Sequence, residues 1–156
     1  MFRHLLVPTD GTEMSQATVE RAVRFAKEAG AQITFFHARE GVFSRGDVAL
    51  YGEGLVLDPA LCEQYRQAGA AFAEGLLAEA RALAEAEGVN CSVDSVENPV
   101  IYEAILDAAG RHGCDLIFMA SHGRRGLSGL LLGSETQRVL THGEIPVLVF
   151  PSSDGT

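Results

Sequence analysis

The residues best suited to chemistry lie in one stretch, ASHGRRGLSGLLLGSET, from Ala120 to Thr136. Glycine leaves the backbone N–H groups open to an anion and allows the positive φ that anion-binding nests require. Gly133-Ser134 precedes a helical pattern, whose free N–H groups and positive dipole end suit a phosphate. Arg124 and Arg125 add two cations to a chain of formal net charge −9. Each feature also has a plainer reading. Gly123 and Gly126 fit ordinary turn positions, Ser134 with Gln137 matches a capping box, and the arginines fit a solvated loop. Their convergence on one turn favours anion binding. A second candidate is Asp10, in the turn after the first apolar run, placed to meet a sugar hydroxyl or a metal. The same residue suits an Asx-turn that opens a helix.

Other chemistries are poorly served. No Lys follows Gly133, as a Walker-type phosphate loop requires, and PTDGTEM lacks the G-x-G-x-x-G dinucleotide fingerprint. The five histidines form no i, i+4 pair and have no cysteine at metal-binding spacing. Ser121 and His122 are neighbours on an extended segment and so point to opposite faces, against a hydrolase pairing. The acidic balance argues against nucleic acid and against an anionic membrane surface. No apolar run approaches the roughly 20 residues that span a bilayer. Cys62, Cys91 and Cys114 are odd in number and widely spaced, as expected of reduced thiols in a cytoplasmic protein. Cys91 and Cys114 suit small core positions.

The elements that must position these residues follow from apolar periodicity. His4 to Val7 predicts a buried strand, stopped by Pro8 and the Asp10-Gly11 turn. Val19, Ala22, Val23, Ala26 and Ala29 predict a helix closed by Gly30. Gln32 to His37 predicts a second strand, and residues 39–59 show no period. Leu61, Tyr65, Ala68, Phe72, Leu76 and Leu83 predict one buried stripe of a long helix ending near Gly88. Val89 to Val96 predicts a third strand. Pro99 opens a helix through Ile101, Ile105, Ala108 and Ala109. Leu116 to Ala120 is apolar throughout, as in the middle of a parallel sheet. A helix from Ser134 and a strand over 146–150 complete the chain. The alternation predicts one α/β domain over 1–156, a doubly wound sheet of five parallel strands with helices on both faces.

These segments resemble the universal stress protein family over nearly the whole chain: HLLVPTDGTEMSQ, FFHA, LIFMASHGRRG, LLLGS and IPVLVF. Nucleotide-binding members of that family carry glycine, two residues, glycine, nine residues, then glycine followed by Ser or Thr. Gly123, the stretch Arg124 to Leu132, and Gly133-Ser134 fit that spacing, with Ala120 in place of the first glycine. The resemblance implies strand order 3-2-1-4-5. It implies an ATP site with Pro8, Thr9, Asp10 and Ala38 around adenine and ribose, and Met119 and Ala120 beside the sugar. Gly123, Gly133, Ser134, Glu135 and Thr136 would surround the phosphates, with His122 and Arg124 of the same turn completing the set. Mg²⁺ would accompany the ATP. A homodimer through strand 146–150 is implied as well, with further protein partners unnamed. The function so implied is a regulatory stress-response protein that binds ATP and hydrolyses it at most slowly. Two alternatives stand beside it. A non-nucleotide-binding interaction protein of the same fold is favoured by Ala120. An adenylyltransferase is disfavoured by the absence of an H-x-G-H signature.

Overall fold

The computed structural model describes residues 1–41, 58–121 and 132–151. Strand and helix alternate: β1 His4–Pro8, α1 Glu13–Ala29, β2 Gln32–Arg39, α2 Pro59–Ala86, β3 Cys91–Glu97, α3 Ile101–Arg111, β4 Leu116–Ala120, α4 Ser134–His142 and β5 Val147–Phe150. The strands form one sheet in the order β3-β2-β1-β4-β5, every pair parallel. The expected doubly wound sheet is therefore present.

The central strands are apolar at successive positions because both faces of the sheet are covered. Leu5, Val7, Ile33, Phe35 and Phe118 face one way and pack with Val19, Val23 and Ala26 of α1 and Leu77, Ala80 and Ala84 of α2. Leu6, Phe36, Ile117 and Met119 face the other way, against Ala104, Ile105 and Ala108 of α3 and Val139 of α4. Thr34 is a fully buried polar residue on this second face. Its hydroxyl bonds both His4 Nε2 at 2.7 Å and Ser92 Oγ at 2.8 Å, which removes the cost of burying it.

The stripe predicted for α2 is corrected. Leu76 is buried, but Leu61, Tyr65, Phe72 and Leu83 are exposed, and the buried line is Ala73, Leu76, Leu77, Ala80 and Ala84. Two causes act. The alanines let the helix approach the sheet closely, so burial follows them rather than the bulkier residues. The helix is also longer than the sheet it crosses. Its 28 residues span about 42 Å at ~1.5 Å each, whereas the eight residues of β2 span about 26 Å at ~3.3 Å each. Because α2 runs antiparallel to the strands, its N-terminal half stands beyond their carboxyl ends. Boundaries also move: β1 takes in Pro8, β2 runs on to Arg39, and the helix expected from Pro99 starts at Ile101; two further shifts have a plain cause. β3 begins at Cys91 because Val89 is spent in the preceding turn, its N–H donating to Ala84 O at 2.9 Å. β5 begins at Val147 because Pro146 has no N–H to pair, although its carbonyl accepts from Ile117 N.

Candidate functional site

The strand order reverses between β1 and β4, and a crevice lies beyond their carboxyl ends. A cavity of about 710 Å³ lies there. Pro8, Thr9, Asp10, Ala38, Met119 and Ala120 line it from the strand ends, and Gly133, Ser134, Glu135 and Thr136 line it from the start of α4. The structure thus brings together every described residue that the sequence pointed to. His122, Gly123 and Arg124 lie outside the described residues, as do Arg125 and Gly126.

The exit from β1 is tightly bonded. Thr9 N–H donates to Phe36 O at 2.8 Å, and the hydroxyls of Thr9 and Ser15 are hydrogen-bonded to each other. Asp10 N–H donates to Ser15 Oγ at 3.1 Å. The Asp10 carboxylate accepts from the Thr12 N–H at 3.0 Å and the Thr12 hydroxyl at 2.7 Å, both through Oδ1. Asp10 therefore does form the Asx-turn, and Thr12 caps α1 by accepting from Ser15 N–H. Gly11 has φ +84°, and a Cβ there would stand 3.0 Å from Phe72 Cζ. Positive φ and the aromatic ring together explain glycine at that turn.

The start of α4 departs from the sequence reading in two ways. The capping box does not form. Gly133 is the N-cap, Ser134 is the first helical residue, and no side chain caps the helix. Gln137 Nε2 instead donates to Leu132 O at 2.9 Å. Gly133 also has φ −60° and ψ 153°, so positive φ does not account for glycine there. It lines the cavity at the end of the helix. The turn is anchored by Gly133 N–H donating to Ser121 O at 2.6 Å and by the Thr136 hydroxyl donating to Ala120 O at 3.0 Å. Ala120 has negative φ, like every described non-glycine residue, so alanine fits at that strand end without strain.

The charge distribution in the crevice is mixed. Asp10, Glu40, Glu97 and Glu135 are set among Arg39, Arg66 and Arg138. Glu135 Oε1 accepts from Arg138 at 3.0 Å, while its Oε2 is buried with no partner among the described residues. The thiols take no part. Cys114 is buried beneath α3, and burial pushes its thiol up to about 11.

Several lining residues were not singled out from the sequence. Tyr65, Arg66, Gly69 and Phe72 wall the cavity from the projecting half of α2, and His37 lies beneath Phe72. The signal for α2 was present in its aromatic stripe, which is cavity wall where core was expected. His37 lies within the FFHA segment, where neither spacing nor the resemblance gives it a ligand role.

Compared with known proteins, residues 1–151 match the universal stress protein family. The chain belongs to that family. YxiE, a universal stress protein of Bacillus subtilis, is 30% identical over 151 residues, covering 96% of this chain and 99% of its own. Among solved structures, MJ0577 of Methanocaldococcus jannaschii superposes with a TM-score of 0.80 at 21% identity, covering 99% of both chains. A universal stress protein of Archaeoglobus fulgidus, solved in complex with dAMP, superposes with a TM-score of 0.61 at 14% identity over 96% of this chain and 97% of its own. A universal stress protein solved in complex with cAMP gives a TM-score of 0.60 at 21% identity, over 96% of this chain and 97% of its own. At these identities the structural matches establish the fold. Membership of the family agrees with the HLLVPTDG and LIFMASHGRRG segments. Among the described residues no helix is long and apolar enough to cross a membrane.

Proposed function

We propose that this universal stress protein is a cytoplasmic regulatory module that binds an adenine nucleotide, ATP with Mg²⁺, in the β1/β4 crevice. The observation that carries the reading is at Ala38. In the parallel register β1 ends opposite Phe36, whose carbonyl accepts from Thr9. Strand alternation turns the N–H and C=O of Ala38 the same way, past the end of β1, where no backbone partner among the described residues meets them. A donor and an acceptor side by side on one residue match the N1 acceptor and exocyclic amine of adenine. Guanine presents the reverse pattern and would meet like against like. Unpaired polar groups of this kind give strong discrimination.

With the base at Ala38, the phosphates extend toward the N-terminus of α4, whose first N–H groups lack intrahelical partners. The family's dAMP and cAMP complexes support a nucleotide in such a fold. Glu135 would hold the metal, because Oε2 is a carboxylate oxygen buried without a partner among the described residues. Mg²⁺ is commonly bound by one or two carboxylates together with phosphate oxygens, and there it would neutralise the phosphate charge. Ala120 does not favour the non-nucleotide alternative, since its backbone conformation suits any residue. Heating the purified protein and separating the released small molecules by chromatography tests the proposal. An adenine nucleotide is expected; a guanine nucleotide in its place would contradict the Ala38 reading.

We also propose a homodimer through β5. This strand is the edge of the sheet, apolar and only half buried. Such an edge templates further pairing unless something covers it, and a two-fold axis would close it. Light scattering at micromolar concentration should give twice the chain mass. A monomer mass would count against the interface.

A further inference from the structure

The imidazole of His37 is placed to do something the proposed site has not used. The ring is nearly buried, at 9% exposure, and borders the cavity. Phe72 meets it edge-on, with ring centroids 5.8 Å apart. Nδ1 lies 2.7 Å from Thr9 O. A carbonyl only accepts, so Nδ1 carries the proton, and in the neutral form of the ring that tautomer leaves Nε2 as a bare acceptor. Nε2 makes no hydrogen bond among the described residues, and it is not among their sealed, unpartnered atoms. It therefore opens on the cavity, one residue from Ala38 and hydrogen-bonded through the ring to the Thr9 peptide.

We propose that His37 is a ribose-reading residue, whose Nε2 accepts a hydrogen bond from a sugar hydroxyl of the bound nucleotide. This rests on the nucleotide reading of the crevice. A bare acceptor repels phosphate oxygens, so its partner belongs to the nucleoside. The exocyclic amine is directed at the Ala38 carbonyl, and the strong donors that remain are the ribose hydroxyls. The Thr9 bond and the Phe72 edge hold the ring in one orientation, which is what makes an acceptor selective. The site then distinguishes ribonucleotides from deoxynucleotides.

The test compares ATP, 2′-deoxyATP and 3′-deoxyATP by calorimetry on wild type and His37→Asn. Asparagine keeps an N–H donor near the position of Nδ1 for Thr9 and removes the acceptor at Nε2. Wild type should bind ATP about five- to tenfold more tightly than one of the deoxy analogues, the gain of one well-placed hydrogen bond. In His37→Asn, ATP affinity should fall to that analogue's level, and the preference should vanish while the melting temperature holds. If the asparagine variant melts early, His37→Gln, which places its amide oxygen farther out toward Nε2, should restore the preference in part. Equal affinity of wild type and His37→Asn for ATP overturns the inference, as does the same ribose preference in both. Wild type that binds none of the three nucleotides overturns it too, by removing the nucleotide reading beneath it.

Discussion

Gly133→Val should weaken ATP binding at least tenfold and leave the fold standing. Gly133 is the N-cap of α4 at φ −60° and ψ 153°, a conformation open to any L residue. Valine therefore adds no backbone strain; it is a poorer N-cap than glycine but narrows the unfolded ensemble, so the melting temperature should change little. What valine changes is access. Gly133 lines the cavity where the free N–H groups of the helix begin, and a branched side chain keeps a phosphate from reaching them. Each lost hydrogen bond to a charged group costs about 1.5–3 kcal/mol, roughly ten- to a hundredfold in affinity. Calorimetry with ATP, alongside a melting curve, measures both halves of the expectation. Unchanged affinity in a well-folded variant would remove the phosphates from this end of the crevice.

Glu135→Gln should tighten ATP binding without metal and flatten its dependence on Mg²⁺. A carboxylate in the first turn of a helix stabilises that helix by about 0.3–1 kcal/mol. Beside a triphosphate the same charge repels: at about 6 Å the cost is roughly 1–3 kcal/mol across plausible dielectrics. The ion pair with Arg138 does not remove that conflict, because it occupies Oε1 alone and both partners are partly exposed. Oε2 is buried with no partner among the described residues. A Mg²⁺ ion held by Glu135 would supply positive charge that offsets the repulsion, so wild type should bind ATP far better with the metal than without. The measurement is ATP affinity with Mg²⁺ and with a chelator, for both proteins. Identical metal dependence would mean that Glu135 serves only the helix dipole.

The order of elements was legible because β1, β2 and β4 are buried on both faces. That requirement leaves continuous apolar runs such as LIFMA, which alternate with helical stripes. The switch-point crevice then follows from strand order, which came through the family resemblance. Burial along α2 was not legible from periodicity. Phe72 and Ala73 are sequence neighbours, and which of them faces the sheet depends on how closely the helix can approach, a tertiary question that the alanines decide. Ser134 illustrates a different limit. The spacing to Gln137 fits a capping box, but the cap is set one residue earlier, where Gly133 N–H bonds Ser121 O, a contact between residues twelve apart that the pattern does not see. His37 was missed because its role depends on the tautomer, and the tautomer depends on Thr9, a residue on another strand's exit. The resemblance placed ligand residues at both ends of the crevice, whereas its α2 wall needed the fold itself.

If the N–H and C=O of Ala38, which have no backbone partner among the described residues, read adenine in this crevice, titration of wild type with MgATP and MgGTP must tell the two nucleotides apart. A backbone pattern that meets guanine donor to donor and acceptor to acceptor leaves buried groups unsatisfied, at about 1–3 kcal/mol each. MgATP should therefore bind at least about tenfold more tightly than MgGTP. Equal affinity for the two, or no heat with either, would contradict the account.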